Sequence, residues 1–357
     1  MKIALITGGP SSERDVSVAS SISILKALRE NGHIVKVIDP VFGNTQPSES
    51  IILGHGVRKE SPSPEELVRV NKYFKRNILE CFSGDQFDDI EFAFLGLHGK
   101  FGEDGGVQSL LEMRNIPYSG SGVFASALAM DKDISKIVLR SKGVKTPAWI
   151  SAAKEDKIGS NDLDELVRSD IGYPCVVKPN DEGSTVGLTI LKQDDGKAQL
   201  DEAVNLAFTY SHKLLIEQYV KGRELTVPVM GNVAYPVIEI RPIGGFYDYE
   251  HKYTKGMTEY FCPAELEPDI EEYVKQSALK AHNALGCSVY SRVDFMLDDE
   301  NVPHCLEVNT LPGMTQTSLV PKSALANGLT FRELIQRIIE LSLQKIEGQF
   351  WRITKVL

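Results

Sequence analysis

The chain has 357 residues, which at about 150 residues per domain predicts two or three domains. Hydrophobic residues make up 42% of the sequence and charged residues 25%, an ordinary globular composition that excludes a disordered or fibrous chain. The 39 Lys and Arg residues are outnumbered by 49 Asp and Glu residues, giving a formal net charge of −10. We therefore expect no nucleic-acid partner and no binding to an anionic membrane.

The sequence also predicts a cytoplasmic protein. The first apolar stretch, Ile3 to Ile6, is too short for the core of a signal peptide, and no later run approaches the length of a membrane span. The five cysteines are an odd number and contain no C-x-x-C pair, which favours reduced thiols.

Alternating strand and helix patterns in the first third of the chain predict a parallel sheet. Short apolar runs indicate the strands, and apolar residues three and four apart indicate the helices. Ser63-Pro64-Glu65-Glu66 is a capping box that begins the second helix. Segment 41–63, rich in Gly, Ser and Pro, is predicted to be an insertion without a motif. The predicted strands are 2–7, 34–38 and 91–97, and the predicted helices are 16–29, 63–79 and 123–140.

Two further units follow, the last of which is denser in strands and has more antiparallel character. The expected domains are residues 1–120, 121–214 and 215–357, with α/β structure first and α+β structure after it. The strands predicted for the second unit are 175–178 and 188–191, and those predicted for the third unit are 214–219, 224–230, 233–240, 289–297 and 303–309. The helices predicted for the third unit are 267–285, 318–327 and 331–345.

The glycine motifs exclude two common nucleotide sites. There is no G-x-x-x-x-G-K-[ST] sequence, so a P-loop is absent. Residues 120–125 match G-x-G-x-x-A, but they do not follow the first strand, and no acidic residue stands about 20 positions later. We interpret this motif as a closely packed helix N-terminus rather than a dinucleotide site.

Two strands close in sequence carry acidic residues on one face. In 290–297 the period of two places Arg292 and Asp294 on the same face, and in 305–309 it does the same for Glu307 and Asn309. Two carboxylates and an amide oxygen suit Mg²⁺ whose shell is completed by water and phosphate oxygens. The alternative is a solvated polar face on an edge hairpin. The sharp turn that follows, 309–315, contains a glycine whose amide can face a substrate oxygen, and this weakens that alternative.

A lysine at the end of an apolar strand gives a second signal. Lys178 ends the strand 175–178 and precedes the small, flexible loop 179–187, so its charge and the loop amides together suit phosphate groups. Lys132 is a second candidate for the same purpose. A lysine in either position is, taken alone, more often just a surface residue, and Glu217 and Glu224 are ambiguous by themselves.

Taken together, these segments resemble the ATP-grasp superfamily and, within it, the D-alanine–D-alanine ligases. The resemblance covers nearly the whole chain except residues 41–88 and the last dozen, and its motifs occur in the right order. The motifs are GGPSSERDVS, LHGKFGEDG, GSGVFASALAMDK, VVKPNDEGSTVG, YDYEHKYTKGMTEYFCPA and SRVDFML followed by LEVNTLPGMTQTSLVP.

The resemblance implies a three-domain ATP-grasp fold with a Rossmann-like N-terminal domain. It implies ligation of two D-alanines through a D-alanyl phosphate, with ATP and two Mg²⁺ or Mn²⁺ ions as cofactors, for peptidoglycan precursor synthesis. It also implies a homodimer whose partners are the small-molecule substrates D-alanine and ATP.

The resemblance also assigns site residues. The nucleotide would be bound by Lys132, Lys178, Glu217, Tyr219, Glu224 and Lys252. The two metal ions would be held by Asp294, Glu307 and Asn309. The two D-alanines would contact Glu13, His98, Tyr253, Ser318 and Leu319. Arg292 and the Gly313 amide would stabilise the oxyanion, and Ser184 with Tyr247 would connect the lid 183–187 to the loop 244–261.

Several alternative functions fit the sequence less well. A D-alanine–D-lactate or D-alanine–D-serine ligase is disfavoured by Tyr253, which resembles the tyrosine of the dipeptide-making subgroup, and by Met314 after Pro312-Gly313. A ligase for L-amino acids is disfavoured by Glu13 and the loop 244–261. An inactive nucleotide-binding scaffold requires a lost metal or phosphate residue, and none is lost. A periplasmic-type binding protein requires a signal peptide. The one departure from the family pattern is Thr185 in the lid, where a second serine is common.

Overall fold

The computed structural model describes residues 1–54, 63, 65, 66, 68, 72–243 and 257–354, with 346–354 described as helical backbone. Three predicted site residues, Tyr247, Lys252 and Tyr253, lie outside this part of the chain. The strands form a three-stranded, a four-stranded and a six-stranded sheet.

The first sheet is parallel, as predicted. Its strands β1 (Lys2–Ile6), β2 (Ile34–Ile38) and β3 (Phe92–Leu95) are arranged in the order β2-β1-β3. β1 is buried along most of its length, because helices cover a parallel sheet and its strands are then apolar throughout. The helices of this unit are Arg14–Glu30, Glu49–Ile52, Phe74–Ser83 and Gly106–Met113.

The capping box at Ser63 is also confirmed. The Glu66 amide donates to the Ser63 hydroxyl at 3.3 Å, and the Ser63 amide donates to the Glu66 carboxylate at 3.0 Å. The two contacts satisfy N–H groups that the first turn of a helix leaves without a partner.

The second sheet is antiparallel, and its strand composition corrects the sequence interpretation. Its strands, in the order β4-β7-β5-β6, are β4 (Trp149–Ala153), β5 (Cys175–Pro179), β6 (Thr189–Leu191) and β7 (Lys213–Gln218). The strand predicted at 214–219 was assigned to the third unit, but β7 pairs with β4 and β5. The expected boundary between residues 214 and 215 therefore falls inside a strand of the second sheet.

The helices around the second sheet complete its core. Ser160–Leu166 and Lys197–Tyr210 bury Leu163 and Leu200 against it. Helices Val123–Met130 and Lys132–Ser141 replace the single helix predicted at 123–140, with Asp131 between them as an N-cap, and their buried residues Ala125, Ala129 and Leu139 belong instead to the core of the six-stranded sheet.

The third sheet contains the paired acidic strands. Its strands are β8 (Gly222–Met230), β9 (Val233–Ala234), β10 (Ile238–Pro242), β11 (Thr258–Phe261), β12 (Tyr290–Asp298) and β13 (Pro303–Asn309). They are arranged in the order β11-β10-β8-β12-β13, with β9 paired to β8. One strand was predicted at 233–240, but the structure has two. The interruption contains Pro236, which has no N–H to donate to a sheet.

The C-terminal helices return to the first sheet. Pro268–Ala284 covers the third sheet. Leu319–Ala326 follows the turn 309–315 around Gly313, called the glycine turn below. Phe331–Thr354 extends past the predicted end at 345. Ile335 and Ile338 share one buried cluster with Ile24 and Leu28, so the first core is built from both ends of the chain. In the described part of the chain, no helix is long and apolar enough to cross a membrane.

Candidate active site

A cavity of ≈ 870 Å³ lies where the second and third sheets meet the loops of the first unit. It is lined by every predicted site residue that the structure describes. These residues are Glu13, His98, Lys132, Lys178, Ser184, Glu217, Tyr219, Glu224, Arg292, Asp294, Glu307, Asn309, Gly313, Ser318 and Leu319.

The predicted meeting of the two acidic strands is confirmed by their register. Asp294 stands directly opposite Glu307, and Arg292 stands opposite Asn309. The Arg292 guanidinium donates to the two Asp294 oxygens at 2.9 and 2.7 Å, and the Asn309 amide donates to the same carboxylate at 3.0 Å. The Thr226 hydroxyl on β8 adds a fourth contact to Asp294 at 2.6 Å. The carboxylate is therefore fixed from both neighbouring strands.

The donor set on these strands fits a divalent cation. Asp294 and Glu307 supply carboxylate oxygens and Asn309 supplies an amide oxygen, all from one face of a hairpin, and such oxygens are the ligands Mg²⁺ prefers. Within the described ranges, no group of three His, Cys, Asp or Glu side chains is placed to hold an ion. A cation here would therefore need water and ligand oxygens to complete its shell.

Both predicted phosphate lysines line the cavity. Lys178 is the penultimate residue of β5, and Lys132 begins the helix that follows Asp131. The Lys132 ammonium lies 3.3 Å from a Glu307 oxygen and donates to the Glu182 carbonyl oxygen at 2.7 Å. Lys132 therefore connects the acidic hairpin, formed by β12 and β13, to the loop 179–187.

Glu217 on β7 binds two lysines, one of which sequence reasoning missed. Lys178 lies 2.9 Å from one oxygen of this carboxylate, and Lys136 lies 3.1 Å from the other. Burial alone raises the pKa of Glu217, but the charges of Lys136 and Lys178 outweigh it and hold the pKa below the usual value. Lys136 carried no signal in the sequence, because it follows the ordinary pattern of an amphipathic helix.

The lid loop is docked on the loops of the first unit. The Ser184 hydroxyl donates to the Glu13 carboxylate. Glu182 accepts from the Ser12 hydroxyl at 2.9 Å and forms an ion pair with Lys100 at 2.7 Å. Ser184 and Thr185 have φ values of 50° and 60°, in the left-handed region that disfavours a β-branched residue such as Thr185. The contacts to Glu13, Ser12 and Lys100 therefore stabilise a lid backbone that is strained by itself.

A hydrogen-bonded chain holds the glycine turn near His98. The Met314 amide donates to the Ser20 hydroxyl at 3.2 Å, and that hydroxyl lies 2.9 Å from His98 Nε2. His98 Nδ1 lies 2.7 Å from the Leu311 carbonyl oxygen, which can only accept, so Nδ1 carries the proton and Nε2 accepts from Ser20. Burial lowers the pKa of His98 to about 4, which keeps the ring neutral at neutral pH.

Glu103 is a second residue that sequence reasoning did not single out. Its carboxylate accepts from the Leu311 amide at 2.8 Å and from the Gly99 amide at 2.9 Å, so it connects the glycine turn to the loop after β3. Burial and the nearby charge of Glu13 raise the pKa of Glu103 to about 8. Its membership in the motif LHGKFGEDG was the only signal that pointed to it.

The start of a helix forms part of the cavity wall, at Ser318 and Leu319. Ser318 is the N-cap of Leu319–Ala326, and its hydroxyl accepts from the Thr315 amide at 3.0 Å. The N–H groups at a helix start are without intrahelical partners and favour an anion such as a carboxylate. The structure thus places this helix start beside Gly313, on the same cavity as the two lysines.

The comparisons with known proteins agree with this geometry. Two family models match the chain, "D-ala D-ala ligase N-terminus" over residues 2–121 and "D-ala D-ala ligase C-terminus" over residues 138–340. The chain is 41% identical over 351 residues to the D-alanine–D-alanine ligase of Halalkalibacterium halodurans, covering 97% of this chain and 100% of that protein.

Two solved structures extend the comparison. The D-alanine–D-alanine ligase of Bacillus anthracis complexed with ATP is 34% identical, with a TM-score of 0.74 over 98% of this chain and 99% of that one. The VanG D-Ala:D-Ser ligase of Enterococcus faecalis is 26% identical, with a TM-score of 0.75 over 96% of this chain and 99% of that one. These likenesses confirm the predicted ATP-grasp fold. The chain belongs to the D-alanine–D-alanine ligase family.

Proposed function

We propose that the protein joins two D-alanines into D-alanyl-D-alanine and converts ATP to ADP and phosphate through a D-alanyl phosphate. The observation that carries the proposal is the single cavity that combines two lysines, a paired acidic hairpin and a glycine turn. The product would serve peptidoglycan precursor synthesis in the cytoplasm, and by resemblance the enzyme would be a homodimer.

The nucleotide occupies the part of the cavity between the second and third sheets. Lys132 and Lys178 bind its phosphates, since both ammonium groups lie at this cavity. Glu217 and Tyr219, at the end of β7, face the adenine, and Glu224 at the start of β8 binds the ribose hydroxyls. Lys252, assigned to the same ligand by resemblance, lies outside the described residues.

Asp294, Glu307 and Asn309 would hold two Mg²⁺ or Mn²⁺ ions. Bound there, the ions supply positive charge to the phosphate oxygens during phosphoryl transfer. Arg292 and Lys132 hold Asp294 and Glu307 in place through the contacts described above.

The first D-alanine binds near the loops of the first unit. Glu13 pairs with its ammonium group, and neutral His98 lies beside the same substrate. Its carboxylate becomes the acyl phosphate while Lys132 and Lys178 balance the phosphate charge.

The second D-alanine enters from the helix that begins after Ser318. Its carboxylate contacts Ser318 and binds the N–H group of Leu319 at the helix start, which leaves its amine free to attack the acyl phosphate. The oxyanion that forms accepts from the Arg292 guanidinium and the Gly313 amide, and phosphate then leaves. Tyr253, with Tyr247 in the same loop, is assigned by resemblance to the incoming amine and to closure.

The decisive experiment is phosphate release from ATP and Mg²⁺ with D-alanine, with L-alanine, or with D-alanine plus D-lactate. Release with D-alanine alone, accompanied by the dipeptide, is the expected result. Release only when D-lactate is present would instead assign the protein to the depsipeptide ligases. A folded protein that binds ATP but releases no phosphate would disprove the proposed activity.

Ser184→Ala is expected to uncouple ATP use from dipeptide formation. Without the hydroxyl donated to Glu13, the lid protects the acyl phosphate poorly, so water competes with the second D-alanine. We expect the ratio of phosphate to dipeptide to rise about tenfold.

The matched control for this lid variant is Ser160→Ala. It removes a similar hydroxyl–carboxylate contact, to Asp201 at 2.7 Å, on a helix outside the cavity. An unchanged phosphate-to-dipeptide ratio in Ser184→Ala would show that the lid contact does not protect the intermediate.

Tyr253→Phe is expected to raise the share of depsipeptide formed from D-alanine and D-lactate by about tenfold, because the phenol no longer favours an amine nucleophile. Product ratios measured by mass spectrometry test this expectation. Tyr173→Phe is the control. The Tyr173 hydroxyl donates to the Asp164 carboxylate at 3.1 Å, and neither residue lines the cavity. An equal product ratio in the variant and the parent protein would remove Tyr253 from substrate selection.

A further inference from the structure

Lys136 is a lysine with no exposure to solvent. Its ammonium lies 3.1 Å from a Glu217 oxygen, 3.4 Å from the Pro147 carbonyl oxygen and 5.2 Å from the centre of the Trp149 ring. A lysine is almost never fully buried unless it is paired, because removing its charge from water is costly. Its burial therefore needs a negative partner, and the nearest one is Glu217.

Glu217 divides its two oxygens between an inner and an outer lysine. Lys136 contacts one oxygen from the protein interior and is not among the residues that line the cavity. Lys178 contacts the other oxygen and does line the cavity. The ammonium groups of Lys136 and Lys178 and the carboxylate of Glu217 together carry one excess positive charge. Of the two lysines, Lys178 is the one that faces the cavity.

The two lysines are not equivalent once an anionic ligand enters. A phosphate group in the cavity competes with Glu217 for Lys178, but it cannot reach Lys136. If Lys136 were absent, Glu217 would retain Lys178 as its only cation, because a buried carboxylate without a partner is strongly unfavourable.

We propose that Lys136 is a positioning residue: the permanent counter-ion of Glu217, which makes Lys178 available to the phosphates of the nucleotide. This inference rests on the proposed function, in which Lys178 binds those phosphates. Burial raises the pKa of Glu217, but the charges of the two lysines outweigh burial and hold that pKa below its usual value, which agrees with the same arrangement.

The test is ADP binding, measured by isothermal titration calorimetry without D-alanine. Lys136→Met keeps the length of the side chain and removes the charge. We expect it to weaken ADP binding about tenfold or more, as for a lost hydrogen bond to a charged group. The KM for ATP should rise equally, and the KM for D-alanine should stay within about twofold. The matched control is Lys142→Met, an exposed lysine that follows the end of the same helix.

A second variant separates this role from a purely structural one. Adding Lys136→Met to Glu217→Gln should leave ADP affinity within about threefold of Glu217→Gln alone, because no carboxylate then competes for Lys178. An additional tenfold loss in the Glu217→Gln background, or unchanged ADP affinity in Lys136→Met, would overturn the proposal.

Thermal unfolding establishes whether each variant is folded. If Lys136→Met is unfolded at 25 °C, the same comparison uses Lys136→Gln, whose neutral amide can still donate to Glu217. Unchanged ADP affinity there would overturn the proposal, and about a tenfold loss would support it. Failure of the parent protein to bind ADP would overturn the nucleotide site itself, whereas normal binding in the parent with unaffected Lys136 variants would overturn only this inference.

Discussion

Glu307→Ala is expected to lower kcat for dipeptide formation about a thousandfold, since metal-ion charge stabilisation contributes several kcal/mol to phosphoryl transfer. The side chain lies opposite Asp294 on the acidic hairpin and is one of the two carboxylates proposed to hold the cations. Steady-state kinetics at saturating ATP and D-alanine, with Mg²⁺ varied, measure the effect. The Mg²⁺ concentration needed for half-maximal rate should rise together with the loss of kcat.

The control for this variant is Glu300→Ala, an exposed acid in the turn between the same two strands. It changes the net charge equally without touching the cavity. We expect Glu307→Ala to remain folded, because β12 and β13 keep their backbone pairing and the cavity gives water access to Lys132. Near-normal turnover of Glu307→Ala would show that the cations, or the reaction, lie elsewhere.

Lys178→Ala is expected to lower kcat/KM for ATP by about two to three orders of magnitude, the usual effect of removing one preorganised donor from a developing charge. The structure also predicts that the variant folds. Glu217 keeps Lys136 as its partner at 3.1 Å, so removal of Lys178 leaves no isolated buried carboxylate.

Initial rates with varied ATP measure this effect, and thermal unfolding verifies the fold. Lys192→Ala is the control, because Lys192 is an exposed lysine that follows β6 in the same sheet. A kcat/KM within a few-fold of the parent value would contradict the phosphate role of Lys178. A large drop in thermal stability would instead show that Lys136 does not suffice to stabilise Glu217.

Predictions from local patterns succeeded where the contact was also local. A period of two in strands separated by a short turn places Asp294 and Glu307 on one face, but their direct pairing also depends on a register shift between Asp294 and Phe295 that the spacing does not predict. The prediction that strand 214–219 belongs to the third unit was wrong because the pairing of this strand is not local. β7 pairs with β4, which lies about sixty residues earlier in the chain. The sequence pattern of a strand does not specify which distant strand it pairs with.

The order of the elements, the acidic hairpin and the motifs that identify the family can all be predicted from the amino-acid sequence. Which charges neutralise each other around the cavity depends on the tertiary fold. Lys136 follows an ordinary helical pattern and Glu103 stands in a glycine-rich loop, yet packing buries one against Glu217 and holds the other between two loops. The physical reason is that a charge acquires its role from burial and from partners distant in sequence, and neither is encoded in the spacing of neighbouring residues.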